Sequence, residues 1–184
     1  MISLEQHLNT IASAAPEPQV VFFDLDRTLI AGYSILALAL ETVRHGARRG
    51  EMRQSAKVLR DTLRNRVDNS GSNYHRLVRR MSKALAGVTE ETLVELGEKA
   101  YRNNIARTLY REAISIVEAH RAAGHKLVII SAASRYQVEP VARVLGIADI
   151  CCTRLEVVDN RFTGQVIAPL CYGEGKVMAA RRVA

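Results

Sequence analysis

Residues 19–23 read Gln-Val-Val-Phe-Phe, a short apolar run that halts at Asp24. Such a run predicts a strand covered on both faces. From 33 to 107 the periodicity changes: Leu36, Leu40 and Val43 make one stripe and Leu77, Met81 and Leu85 another. Spacings of three and four predict amphipathic helices with those residues inward. Gly46, Gly50, residues 68–73 and Gly87 punctuate this region, and Thr89 ahead of Glu90-Glu91 has the chemistry of a helix N-cap.

Residues 109–123 predict a helix closed by Gly124, and Lys126–Ser131 a second buried strand. Residues 135–145 predict a helix ended by Gly146, and Asp149–Cys152 a third strand. Segments 154–158 and 161–167 then flank Asp159-Asn160, a two-residue hairpin signal. Strand, helical insert, helix, strand, helix, strand predicts an α/β fold, a doubly wound parallel sheet with crossover helices. The core would take residues 1–32 and 108–184, and an all-helical module residues 33–107.

Composition narrows the class without altering this picture. The 184 residues are 48% hydrophobic and 24% charged, ordinary for a globular protein. The longest apolar run, Ile35–Leu40, is far too short for a membrane span. Glu5 and His7 stand where a signal peptide would be apolar, so a cytoplasmic location is expected. Cys151, Cys152 and Cys171 lack metal spacing and read as small buried thiols in a reducing compartment. The five histidines form no i,i+4 pair, which argues against a histidine-ligated zinc. The net charge of +7 is spread through helical segments, from Arg44, Arg48, Arg49, Arg53, Lys57, Arg60, Arg64 and Arg66 to Arg76, Arg79 and Arg80. With no tryptophan and no nucleic-acid signature, that surface suits small anions and no nucleic-acid partner is expected.

Candidate chemistry starts at Asp24-Leu25-Asp26-Arg27-Thr28, directly after the first strand. Ligands in open parallel sheets bind beyond the carboxyl ends of the strands. Two carboxylates one residue apart need a positive neighbour, and magnesium with oxygen ligands would meet that need. A plain acidic turn is the bland alternative. Ser131-Ala132-Ala133-Ser134 ends the second strand, where a hydroxyl and exposed N–H groups make an anion cradle or simply cap a helix. In Gly173-Glu174-Gly175-Lys176 the glycines permit close approach and Lys176 offers a point charge. Alone, that segment also reads as a surface turn.

These three motifs in this order resemble the haloacid dehalogenase superfamily, and within it the phosphoserine-phosphatase-like hydrolases (subfamily IB). The likeness runs from about Gln19 to about Met178 and includes FFDLDRTLI, HRAAGHKLVIISAAS, TRLEVVDNRFTG and CYGEGK. The resemblance implies a doubly wound core whose helical insert is a cap. It implies a magnesium-dependent phosphatase acting on a small phosphorylated metabolite. Asp24 would attack phosphorus to form an aspartyl-phosphate, while Asp26 protonates the leaving oxygen and then activates water. Magnesium would sit on the Asp24 carboxylate and the Asp26 backbone carbonyl. Thr28, Ser131 and the Ala132 N–H would hold phosphoryl oxygens, and Lys176 would offset their charge.

Two departures set further expectations. The family's fourth motif, a glycine-aspartate strand end, should follow Lys176, but residues 177–184 contain no acid. A fragment of a longer protein is expected rather than a degenerate site, with weak magnesium binding and either an open sheet on the third-strand side or an underfilled core. Two alternatives are a module of a longer bifunctional protein, for example one fused to a lipid acyltransferase, and a catalytically silent binding domain. The second departure is Tyr33, seven residues after Asp26, where phosphoserine phosphatases carry a glutamate for the substrate ammonium. Arg80 is a candidate for their carboxylate-gripping arginine, or a solvated arginine.

Overall fold

The computed structural model describes residues 3–13, 19–48 and 71–183. Arg49, Arg53, Lys57, Arg60, Arg64, Arg66 and the turn signal at 68–70 lie outside the described residues. The sheet is organised on β2 (Lys126–Ser134), whose residues Leu127 to Ile130 are all buried. Side chains of a strand alternate between faces, so an unbroken apolar run means that both faces are covered. β2 pairs in parallel with β1 (Val20–Phe23) on one side and with β3 (Asp149–Val158) on the other.

β4 (Arg161–Ile167) returns antiparallel to β3, so the sheet is mixed, in the order β1-β2-β3-β4. The apolar segment 149–152 and the first arm of the hairpin, read as separate strands from sequence, are one ten-residue strand. Asp159 (φ 49°) and Asn160 (φ 59°) turn the hairpin in the left-handed region, as a two-residue primed turn requires. The open edge lies elsewhere than expected. β4 covers the third strand, and among the described residues it is β1 whose outer edge has no partner. That explains why Val20, Val21 and Phe22 are only half-buried.

The insert leaves the core and returns through adjacent linkers. Ala31 N–H donates to Thr108 O at 2.7 Å and Tyr110 N–H to Leu29 O at 3.0 Å. Within it lie α2 (Ser34–Arg48), α3 (Gly71–Ala84) and α4 (Glu90–Ala100), then a π-helical turn, Tyr101–Ile105, and a 3₁₀ turn, Ala106–Thr108. Thr89 caps α4 as expected, its side chain accepting from Thr92 N–H. The inward stripe of α2 differs from the predicted one. Leu36 is 38% exposed, whereas Ser34, Ala37, Leu38 and Glu41 are buried. The run 35–40 is apolar all round, so periodicity cannot choose its face. Small alanines and the bonds from Asn103 and Asn104 to Glu41 choose it instead. On α3, Leu77 is buried as predicted and Met81 half-buried, and Val78 and Ser82 join the inward face against β4.

The insert also grips the hairpin. Gly87 N–H donates to Phe162 O (2.8 Å), Phe162 N–H to Val88 O (2.9 Å) and Glu90 N–H to Asn160 O (3.0 Å). Beneath this seam Leu38, Leu93, Leu96, Tyr136 and Phe162 form a small core. The main core joins Leu25, Leu29, Ile30, Val117, Ile129, Val138 and Val141, with helices α5 (Arg111–Ala122) and α6 (Arg135–Val144) contributing. Helix α1 (Leu4–Ser13), which the sequence pattern did not announce, packs on α5. No helix among the described residues is long and apolar enough to cross a membrane.

Two features yield tests of this packing. A Cβ on Gly97 of α4 would fall inside the contact radius of the Tyr136 carbonyl of α6. Gly97→Ala should therefore cost about 1–3 kcal/mol of stability, the usual penalty of overpacking, read by urea denaturation. An unchanged midpoint would mean that α4 and α6 do not meet there. The second feature is the 2.8 Å contact between Nδ1 of His120 and Nδ1 of His125, in which one ring must accept and so stay neutral at that atom. Burial, with the neighbouring His125 and His7 charges, holds the His120 pKa below its ordinary 6.5. The unfolded chain then binds protons more readily, so stability should fall as pH drops below about 6.5. His120→Gln should flatten that slope in thermal melts across pH.

Candidate active site

Parallel register aligns the ends of β1 and β2. Phe23 stands opposite Ile129, so Asp24, one residue beyond Phe23, and Ser131, two beyond Ile129, leave the sheet at the same carboxyl edge. After Asp24 the backbone turns sharply, with the N–H groups of Thr28, Leu29 and Ile30 all directed to Leu25 O. Leu25 and Leu29, fully buried, pin that turn to the core. The tightness is paid at Arg27, a non-glycine residue at φ 61°.

Asp24 Oδ1 accepts from Leu25 N–H at 2.9 Å and from Lys176 Nζ at 2.8 Å, a pairing across 152 positions. Lys176 lies in the first turn of α7 (Glu174–Val183). It reaches the carboxylate because Gly175 sits directly on the Leu170 carbonyl, where any Cβ would overlap it. Asp26 lives in a different environment. Its Oδ1 accepts from Ser34 N–H at 2.7 Å, at the start of α2. Burial pushes the Asp26 carboxyl above its ordinary value, opposed by the bonds from Ser34 and reinforced by the Asp24 charge, with Lys176 pulling the other way. Of the two carboxyls, one is held against a cation and the other is biased toward its protonated form.

Ser131 is 1% exposed and its Oγ accepts from Ala133 N–H at 3.1 Å. The Ala132 carbonyl accepts from Thr153 Oγ1 at 2.7 Å, and Cys171 N–H donates to that same hydroxyl at 3.4 Å. Thr153 thus ties the 168–176 segment to the end of β2. Thr28 is exposed in the turn that follows Asp24. Burial pushes the Cys152 thiol up to about 12 and the Cys171 thiol up to about 11, so neither is a ready nucleophile.

Asp24, Asp26, Ser131, Ala132 and Lys176 are therefore gathered at one edge, with Thr28 on the adjoining turn. Ser34 and Gln137 were not anticipated. Gln137 Nε2 donates to Ser34 Oγ at 3.2 Å, while its Oε1 accepts from Ser134 N–H (3.0 Å) and Ser134 Oγ (2.7 Å). Ser-x-x-Gln at the start of a helix is a legible capping box, but nothing local in the sequence connects it to Ser34.

Among the described residues no group of three or more His, Cys, Asp or Glu side chains gathers as a metal cage. The donors present nonetheless fit magnesium, which keeps several waters and takes one or two carboxylates. Asp24 is 40% exposed at its side chain, and its Oδ2 has no hydrogen bond among the described residues. Tyr33 is turned to Arg27, whose Nη1 donates to its hydroxyl at 3.3 Å. Arg80 lines a cleft of about 900 Å³ with Arg76, Arg79 and Lys83, facing the turn at Tyr172–Gly175.

The model of the haloacid dehalogenase-like hydrolases matches residues 21–184. A probable phosphatase of Mycobacterium tuberculosis (strain ATCC 25618 / H37Rv) is 30% identical over 181 residues, covering 95% of this chain and 61% of that protein. A phosphoserine phosphatase of the same strain is 28% identical over 184 residues, covering 98% of this chain and 40% of that one. The chain thus spans about three fifths, or less, of the length of these relatives. A structure of a Bordetella pertussis Tohama I protein of unknown function superposes with a TM-score of 0.76 at 25% identity, covering 91% of this chain and 74% of that one. A substrate-bound phosphoserine phosphatase complex shares the fold, with a TM-score of 0.61 at 20% identity over 91% of this chain and 71% of that one.

The Gly-x-Gly-Lys segment offers a direct test. Gly173 has φ 54° with open space around it, whereas Gly175 faces a fixed backbone carbonyl. Gly173→Ala should cost about 1–2 kcal/mol, the strain of a left-handed residue. Gly175→Ala should cost more, because a carbonyl cannot swing aside, and it should also move Lys176 off Asp24. Equal melting temperatures for the two variants would contradict the packing of α7.

Proposed function

Because this chain belongs to the haloacid dehalogenase-like hydrolase family, we propose that it is a phosphatase that hydrolyses a small phosphomonoester through an aspartyl-phosphate on Asp24. The observation that carries the reading is the unlike treatment of two neighbouring carboxyls. Asp24 is paired with Lys176 at 2.8 Å, while half-buried Asp26 has its carboxyl pushed above its ordinary value by desolvation. Two acids in such unlike surroundings are how one site supplies a nucleophile and a general acid at the same pH.

In the first step an oxygen of Asp24 attacks phosphorus and the bond from phosphorus to the ester oxygen breaks. Asp26 gives its proton to the departing alkoxide, which leaves as an alcohol. In the second step Asp26, now a carboxylate, takes a proton from water. The water oxygen attacks phosphorus, inorganic phosphate departs and Asp24 is restored. Ser131 Oγ, the Ala132 N–H and the Thr28 hydroxyl are the proposed donors to the phosphoryl oxygens, and Lys176 offsets the charge that gathers there. Magnesium bound by the Asp24 carboxylate and the Asp26 carbonyl would supply positive charge beside the phosphoryl group. Phosphoryl transfer asks chiefly for positioning and charge neutralisation, which these groups can provide.

Residues 33–107 are proposed to act as the cap over this site. The substrate is proposed to be a small phosphorylated metabolite met in the cytoplasm, a location in keeping with cysteines kept as free thiols. Phosphoserine is not the favoured substrate. Tyr33 offers an ammonium group no carboxylate, and a buried unpaired ammonium is costly.

Asp24→Asn should abolish hydrolysis of generic phosphate esters assayed with magnesium. Asp26→Asn should lower turnover by about 10²–10⁴, the usual worth of general acid–base catalysis. Near-native turnover by the Asp24→Asn protein would sink the mechanism. In a panel of phosphomonoesters, phosphoserine should rank below sugar and glycerol phosphates. The opposite ranking would show that Tyr33 does not govern the choice.

A further inference from the structure

Asp26 is tied into a buried hydrogen-bonded chain that runs well beyond the reacting groups. Ser34, the first residue of α2, is 0% exposed, and Gln137, in the first turn of α6, is 4% exposed. The orientation of the Gln137 amide is fixed by its neighbours. One end accepts from both the N–H and the hydroxyl of Ser134, so that end is the carbonyl oxygen and the NH₂ must face Ser34. Its donation at 3.2 Å occupies a lone pair of Ser34 Oγ, leaving the Ser34 proton for an acceptor. The backbone N–H of the same Ser34 donates to Asp26 Oδ1 at 2.7 Å. The chain Ser134–Gln137–Ser34–Asp26 thus links the end of β2 to the end of β1 through the first residue of the helical insert.

We propose that Gln137, acting through Ser34, is a positioning residue that holds the Asp26 carboxyl in the orientation from which it protonates the leaving oxygen. This rests on the phosphatase reading above and adds to it two residues outside the reacting shell. Neither touches the phosphoryl group. The Ser34 N–H keeps its aim on Asp26 Oδ1 only while the start of α2 is held in place, and the bond from Gln137 to Ser34 Oγ is what holds it. Small losses of orientation are costly to a proton transfer, yet they matter only when the leaving group needs the proton.

The leaving group supplies the test. Alcohol departs in the first step, so kcat/KM reports that step whatever the rate of the second. An alkyl phosphate such as glycerol phosphate requires protonation of its leaving oxygen, whereas 4-nitrophenyl phosphate expels a stable phenolate. Gln137→Glu keeps an oxygen for Ser134 and the same volume but cannot donate to Ser34 when ionised, and Ser34→Ala removes the hydroxyl while keeping the N–H. For each variant, kcat/KM for glycerol phosphate should fall about 10–100-fold, part of the full general-acid contribution. The loss for 4-nitrophenyl phosphate should stay within about threefold, since that ester draws little on the proton. Equal losses on both esters, or none on either, would overturn the proposal. Thermal melts separate misfolding from mispositioning. Should Gln137→Glu fail to fold, the Ser34→Ala protein decides by the same comparison. Wild-type protein that hydrolyses neither ester would overturn the phosphatase reading itself, and a crystal structure of Ser34→Ala would then decide the positioning role, an unmoved Asp26 carboxyl counting against it and a rotated one in favour.

Discussion

Two carboxyl groups two residues apart, at the end of a strand with apolar residues behind it, repel one another and resist burial together. Everything around them serves to let them coexist. One solution is a cation, and Lys176 arrives from 152 positions along the chain to meet Asp24 at 2.8 Å. The other is to let the second group stay protonated, which burial of Asp26 favours. The ion pair is partly exposed, with side chains 27% and 40% accessible, and pairs of that kind add little to stability. Its importance is one of placement. It depends on α7 starting where it does, on Gly175 lying against the Leu170 carbonyl, and on the segment before it being tied through Thr153 to the end of β2.

The same economy shapes the sheet. β1 is four residues long and β2 nine, and β2 carries the apolar run that both layers of helix need. Placing the reactive turn on the short strand and its supports on the long one lets the core fix β2 while the Asp24 loop follows by register. Leu25 and Leu29, which neighbour the candidate site residues of that loop, are among the most buried side chains of the described residues. The loop proposed to carry the chemistry is thereby anchored as firmly as a strand.

Much of this was legible in the chain. The apolar runs at 20–23 and 127–130, the Thr89 cap, the Asp159-Asn160 turn and the placement of Asp24 and Ser131 at one edge follow from local pattern and from the rule that sites lie at strand ends, whereas Lys176 joins them in the sequence reading only through the family resemblance. What escaped is non-local. The inward face of α2 was set by Asn103 and Asn104 meeting Glu41, partners some sixty residues away. The roles of Ser34 and Gln137 depend on a contact across 103 positions. The continuity of β3 was hidden because polar Thr153 and Arg154 interrupt its pattern, while Thr153 is buried as a tie between backbone segments. Local periodicity carries no information about such ties.

The clasp between the insert and the hairpin limits how the molecule can breathe. A rigid flap hung on the linkers at 29–31 and 108–110 would swing freely only if its far side were unattached. Here its α3–α4 turn shares backbone hydrogen bonds with Asn160 and Phe162, and Tyr136 and Phe162 stand edge to face beneath them, with ring centroids 5.4 Å apart. Unzipping that seam would expose several main-chain donors at once, together with the aromatic pair. For the proposed phosphatase, access to Asp24 would then come from sliding or local yielding of α2 and α3 rather than a wholesale hinge, and slow hydrogen exchange at Gly87 and Phe162 would be its sign: a site entered from the side.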